Sequence, residues 1–283
     1  GDRRFSIVID TANAMGVLEL PIYEQLAEHL DITRLYDDLS HPFSAHEANP
    51  LKTETLDELR AQVTALSADL GIAYDGDADR IGFVDETGLP IPMDLVTALL
   101  AKEVLKKKSG ATILYDLRSS RSVKEFIEEN GGRALECRVG HAFIKQQMRE
   151  TDAVFAGELS GHYYFKENFF TESSALAAIF VANLVSQSNQ SLSELIRPIK
   201  RYVASGEINS EVINTKGVLQ RLRDQYAGRG RVIELDGFSV EFEDWWFNVR
   251  SSNTEPLIRL NLEARTRATM EKHRDEILAI IRS

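Results

Sequence analysis

The chain has 283 residues, 43% of them hydrophobic and 27% charged, enough apolar side chain for two or three packed domains and unlike a disordered or fibrous sequence. Its 33 Lys and Arg against 44 Asp and Glu leave a net charge of -11, which opposes general attraction to nucleic acid or to an anionic membrane. A single cysteine, Cys137, allows neither an intrachain disulfide nor zinc-finger spacing, so a reducing cytoplasm is the expected home.

Residues 3–10 (RRFSIVID) form a β-rich apolar run, followed by the small-residue turn TANAMG and by Ile22, Leu26 and Leu30 at helical spacing. A strand over 32–36, a proline-containing loop to Pro50, an amphipathic helix over 55–66 and a strand over 70–74 continue the alternation. A hairpin-like stretch, IGFVDETGLPIP, covers 81–92. A second series then begins: helix 95–107, strand ATILYD, helix 121–130, strand RALECRV, a helix from His141 and a strand over 153–155. The longest apolar run, 175–185 (ALAAIFVANLV), has only eleven residues, well short of the ~20 that span a bilayer.

From Tyr202 the pattern turns strand-rich, and Asp236-Gly237 predicts a two-residue type I′ hairpin before FSVEF, WWFNV and an amphipathic segment over 270–281. The expected architecture is two tandem α/β domains with mixed sheets, 1–92 and 93–198, and a smaller α+β domain with an antiparallel sheet, 199–283.

Three polar loops carry the chemistry. Asp75-Gly76-Asp77-Ala78-Asp79-Arg80 alternates acids with very small residues between two strand-like runs. In a locally extended loop the three carboxylates face one way and can converge on a hard cation, whereas an ordinary acidic surface turn has no reason to alternate. An EF-hand fails because Arg80 stands where its glycine is required. A haloacid-dehalogenase-like phosphatase with Asp75 as nucleophile is the stronger rival. The second loop, GELSGHYYF over 157–165, sets Glu158, Ser160 and His162 two apart, an array that can hold vicinal sugar hydroxyls and move a proton near neutral pH. The third, over 250–256, offers Arg250, hydroxyls and backbone N–H groups, the donors a phosphate dianion needs. Each of the last two also reads as an ordinary polar turn when taken alone.

Together the loops resemble those of the α-D-phosphohexomutase superfamily, whose DGDGDR, GExSGH and RxSNT(x)P loops occur in this order. TANAMG, YDLRSSR from Tyr115 and VGHAFIK from Val139 are most similar to the phosphomannomutase/phosphoglucomutase branch, with Ala78 the departure from the usual glycine. The resemblance spans the chain and implies the second, third and fourth domains of a four-domain family. It implies Mg²⁺ on Asp75, Asp77 and Asp79, with Arg80 on the reacting phosphate. Glu158 and Ser160 would hold sugar hydroxyls, His162 would lie close to the proton transfer, and Arg118 and His141 would contact substrate. Arg250, Ser252, Asn253 and Thr254 would grip the phosphate that is not reacting, and Asn13 would contribute to the site or merely hold a turn. The implied reaction interconverts hexose 6-phosphate and 1-phosphate, of mannose or glucose, through a phosphoserine and a 1,6-bisphosphate that also serves as activator. The serine belongs to a first domain that is not expected here, because the chain opens at Gly1 directly into a strand and Ser40 and Ser44 lie in an unrelated segment; a truncated mutase is the expectation. A noncatalytic sugar-phosphate binding module is the other open reading.

Overall fold

A computed structural model of the chain describes residues 4–251 and 257–283. The first unit comprises β1 (Phe5–Asp10), α1 (Leu20–Glu24), β2 (Leu30–Leu35), α2 (Asp57–Leu66), β3 (Leu70–Tyr74), β4 (Ile81–Val84) and β5 (Pro90–Ile91). Its five-stranded sheet has the order β2-β1-β3-β4-β5. β1 runs parallel to β2 and β3, and β4 and β5 are antiparallel additions. The helix anticipated through Leu30 is shorter. A 3₁₀ turn and the five residues of α1 take its place, and Leu30 instead opens β2 opposite Phe5. Leu30 lies at the beginning of an edge strand, where apolar spacing inherited from a helix also suits a strand face.

The second unit comprises α3 (Met93–Lys107), β6 (Thr112–Asp116), α4 (Arg121–Glu129), β7 (Arg133–Cys137), α5 (His141–Thr151), β8 (Phe155–Gly157), β9 (Tyr163–Phe165), β10 (Thr171–Glu172), α6 (Ser174–Gln187) and α7 (Leu192–Ile196). Its sheet, β10-β9-β8-β6-β7, repeats the first one: β6 is parallel to β7 and β8, and β9 and β10 are antiparallel. The repetition places corresponding loops of both units at equivalent strand ends. Helix α6 is the long apolar run of the sequence. Its residues Ala177, Ala178 and Val181 are fully buried, and it packs on β3 and β4 of the first sheet as well as on α3. One apolar core consequently runs from Ile7 through Leu99 to Ile199 across both units. No helix among the described residues is long and apolar enough to cross a membrane.

The C-terminal unit comprises β11 (Val203–Ala204), β12 (Ile208–Glu211), α8 (Thr215–Tyr226), β13 (Arg231–Ile233), β14 (Phe238–Glu241), β15 (Trp245–Ser251), β16 (Leu257–Ala264) and α9 (Arg267–Arg282). Its sheet is entirely antiparallel. Alternation along β15 and β16 gives it two unlike faces. Phe247, Val249, Leu260 and Leu262 are buried in a core with α8 and α9, while the paired positions Trp246–Glu263, Asn248–Asn261 and Arg250–Arg259 occupy the opposite, polar face. The Asp236-Gly237 turn is not the expected two-residue hairpin. Ile233 pairs with Ser239, so residues 234–237 form a longer loop between β13 and β14 in which Gly237 alone is left-handed, at φ 80°. The tight turn comes at Glu243-Asp244, where the Phe242 N–H donates to the Trp245 carbonyl at 2.9 Å.

Candidate functional site

The metal loop joins β3 to β4. Asp75, Asp77 and Asp79 each place a carboxylate oxygen within 4.8 Å of the others, with Asp75 buried, Asp79 half-buried and Asp77 exposed. Three hard anionic donors this close repel one another until a cation sits among them, which fits a divalent ion such as magnesium. Asp75 is engaged from within the loop: its Oδ1 accepts from the Arg80 N–H at 3.1 Å and its Oδ2 from Arg80 Nε at 2.7 Å. Burial raises its carboxyl above the ordinary value in spite of Arg80. The loop turns through Ala78, at φ 64°. The Ala78 carbonyl accepts from Ser174 Oγ at 2.6 Å, tying the metal loop to the start of α6.

The sugar loop joins β8 to β9 and lies directly against the metal loop. The Ile81 N–H donates to the Gly161 carbonyl at 3.1 Å, and His162 Nε2 lies 3.2 Å from Asp79 Oδ2. Gly161 is left-handed, at φ 91°, and a Cβ there would fall 2.9 Å from the Ile81 carbonyl oxygen, so only glycine permits the two loops to approach this far. His162 Nδ1 is 2.9 Å from Ser160 Oγ. Glu158 is buried; its Oε1 accepts from Tyr164 Oη at 2.5 Å and its Oε2 from Ser160 Oγ at 3.3 Å. A carboxylate has further lone pairs beyond these two bonds, so Glu158 retains capacity for a hydroxyl donor.

Arg118 reaches the same place from the end of β6. Asp116 holds it through Nε at 3.1 Å and Nη2 at 2.7 Å, and Nη2 lies 3.7 Å from Glu158 Oε2. Burial works against its charge, but Asp116, Glu158 and Glu207 outweigh burial and keep it protonated. Asp116 Oδ2 also accepts from the Leu159 N–H at 2.8 Å, so one buried carboxylate orients both Arg118 and the sugar loop.

Arg250 stands on the polar face of the C-terminal sheet, 8% exposed, and donates through Nη2 to Glu207 at 2.9 Å. A cavity of about 400 Å³ separates this face from the second unit, with Arg118, Leu159, Glu207 and Asn261 in its walls. Ser252, Asn253 and Thr254 lie outside the described residues. His141 is exposed on the first turn of α5. Asn13 holds a turn: its Nδ2 donates to Ser44 Oγ at 3.0 Å and its Oδ1 accepts from the Asp38 N–H at 3.1 Å.

Three residues of this neighbourhood, Asp116, Lys145 and Glu207, are not among the site residues expected from the sequence. Asp116 could have been suspected from its position two before Arg118. Lys145 follows His141 by one helical turn and pairs with Glu172 at 2.6 Å, holding that carboxyl below its ordinary value although burial opposes it. Glu207 comes from the short connection between β11 and β12, where nothing in the local pattern marks it.

Comparison with known proteins covers nearly the whole chain. Residues 1–88 match phosphoglucomutase/phosphomannomutase alpha/beta/alpha domain II, residues 92–202 match domain III of the same family, and residues 207–280 match its C-terminal domain. A phosphomannomutase of Methanocaldococcus jannaschii is 44% identical over 97% of the chain and 61% of its own length. A phosphoglucomutase of Neisseria meningitidis is 33% identical over 99% of the chain and 62% of its own length. The crystal structure of a phosphoglucomutase/phosphomannomutase family protein from Burkholderia thailandensis superposes with a TM-score of 0.89 at 30% identity, covering 99% of this chain and 60% of that one. The chain thus spans about six-tenths of the length of the relatives it matches.

Proposed function

This chain belongs to the phosphoglucomutase/phosphomannomutase family, and from that premise we propose that it supplies the metal, sugar and distal-phosphate sites of a phosphohexomutase acting on glucose and mannose phosphates. The observation that carries the reading is the junction of the metal and sugar loops, with His162 3.2 Å from Asp79 and 2.9 Å from Ser160. A mutase needs a phosphoryl group held beside a cation to come within reach of a sugar hydroxyl, and this junction puts the two sets of side chains in contact.

In this reading Asp75, Asp77 and Asp79 hold magnesium, which when bound neutralises charge on the transferring phosphoryl group. Arg80, anchored to Asp75, adds a second positive charge on that side. Glu158 and Ser160 bind ring hydroxyls, and His162 takes or returns the hydroxyl proton. Arg118, oriented by Asp116, and His141 hold the sugar phosphate in the cleft. Arg250 with Ser252, Asn253 and Thr254 grips the phosphate at the opposite end of the sugar, so that a 1,6-bisphosphate can turn over and present either end. The phosphoryl carrier in this scheme is a phosphoserine outside the 283 residues. Glucose and mannose are both retained, since the relatives include enzymes named for each.

A noncatalytic sugar-phosphate binder would use the same contacts without turnover. Adding a separately produced, serine-phosphorylated first domain of a family member tests the choice. Hexose 1-phosphate formed from 6-phosphate, followed by ³¹P NMR and abolished by Asp77→Asn, supports the mutase; saturable sugar-phosphate binding without conversion, when the added domain demonstrably associates, supports the binder.

A further inference from the structure

Residues Arg250 and Arg259 lie directly opposite each other on β15 and β16, on the polar face of the C-terminal sheet. Like charges at paired positions destabilise a sheet, and a guanidinium as buried as that of Arg250 needs an anion beside it. Glu207 provides one. Its Oε2 accepts from Arg250 Nη2 at 2.9 Å and from Asn261 Nδ2 at 3.4 Å, and its Oε1 lies 3.7 Å from Arg259 Nη1. One carboxylate serves two guanidinium groups, and it leaves them incompletely satisfied: Nε of Arg250 and Nε of Arg259 are both buried without a hydrogen-bond partner among the described residues. An unmet donor on a buried cation is costly, so the pair is built for more negative charge than Glu207 alone brings.

We propose that Glu207 is an internal counter-ion gate on the phosphate cradle, holding the anion position between Arg250 and Arg259 until a doubly charged phosphate displaces it. The gate rests on the reading of Arg250 as a phosphate ligand. A phosphate dianion carries twice the charge of the carboxylate and three terminal oxygens, and it satisfies the donors that Glu207 leaves unmet. A singly charged anion gains no such advantage over the resident carboxylate. Glu207 therefore weakens every anion but weakens singly charged ones most, making the cradle selective for the phosphate dianion.

The test is titration of inorganic phosphate and of glucose 6-phosphate, at pH 7.5, into this chain, into Glu207→Gln and into Arg250→Ala, with thermal melts of each. Removing a competing unit charge at a partly solvated site is expected to tighten phosphate binding about fivefold in Glu207→Gln. Acetate, used as a singly charged competitor, should displace phosphate more readily from Glu207→Gln than from the parent. Unchanged or weaker phosphate binding in folded Glu207→Gln overturns the gate, for it makes Glu207 a scaffold that positions Arg250. If that variant fails to melt cooperatively, Glu207→Asp, whose shorter carboxylate withdraws from Arg250, should show the same gain, and its absence overturns the gate. Loss of phosphate binding in Arg250→Ala keeps the cradle standing even when the gate falls. Phosphate binding indifferent to Arg250→Ala removes the cradle itself.

Discussion

His162 is shared between two loops: its Nε2 lies 3.2 Å from Asp79 Oδ2 and its Nδ1 2.9 Å from Ser160 Oγ. The two loops come from different sheets, and the hydrogen bond from the Ile81 N–H to the Gly161 carbonyl fixes their approach independently of the side chains. Substitutions in either loop can therefore be read against a backbone that does not depend on them.

Asp77 is the exposed member of the carboxylate cluster, so replacing it disturbs little besides the cation. Asp77→Asn should weaken Mg²⁺ and Mn²⁺ binding markedly, since it removes one of the three carboxylates clustered there among the described residues. Isothermal titration reads this directly, and an unchanged affinity would take Asp77 out of the site.

Arg250→Ala should weaken glucose 6-phosphate and mannose 6-phosphate alike, by on the order of 1.5 to 3 kcal/mol for lost charged hydrogen bonds. Free glucose and mannose should be nearly indifferent. A variant that changed the preference between the two sugars while leaving phosphate dependence intact would contradict the assignment.

The 283 residues by themselves, given Mg²⁺ and glucose 1,6-bisphosphate, should show no mutase turnover, because ground-state binding supplies no covalent phosphoryl carrier. A coupled assay for glucose 6-phosphate decides it. Robust turnover would mean that a nucleophile lies within these residues, with Ser40 and Ser44 the first to replace.

Ala78 adopts a left-handed conformation, at φ 64°, which costs an L residue about 1–2 kcal/mol. Glycine removes that cost but adds unfolded-chain entropy, so Ala78→Gly should raise stability by a net ~0.5–1 kcal/mol. Denaturant melts measure it, and a destabilised variant would show that the packing of the Ala78 methyl on the apolar core outweighs the backbone strain.

Asp94, near the start of α3, is buried and accepts from the Ser120 N–H at 2.7 Å; burial, with help from the nearby Glu263 charge, pushes its carboxyl up to about 6. Because the folded value lies above the ordinary 3.8, the folded chain binds the proton more tightly than the unfolded one. That stabilisation is fully present below about pH 4 and is lost as pH rises through about 6. Relative to Asp94→Asn, the parent chain should thus lose on the order of 2 kcal/mol of stability between pH 4 and pH 7. Paired urea melts across that range would show a flat difference if Asp94 were ionised throughout.

Much of this molecule was legible before any coordinates. The apolar runs over 70–74 and 81–84 and the amphipathic pattern over 55–66 are local signals, and β3, β4 and α2 formed close to where those patterns stood. The alternating Asp75, Asp77 and Asp79 likewise pointed to a cation because the spacing of i, i+2 and i+4 is a property of the chain itself. Where local signals were ambiguous, tertiary pairing decided. Leu30 fits a helix face or a strand, and it became a strand because Phe5 lay opposite; Asp236-Gly237 suits a tight hairpin, yet the register of Ile233 with Ser239 opened it into a longer loop. Contacts between distant segments were beyond any local reading. Only folding brings Asp79 to His162 across two sheets, Asp116 to Leu159 within the second unit, and Glu207 between Arg250 and Arg259 within the C-terminal unit, since each pairing joins segments that no local pattern relates. Residue types and spacings therefore determined which chemistry each loop could hold, and tertiary packing, within units and between the first two, decided which of those groups meet.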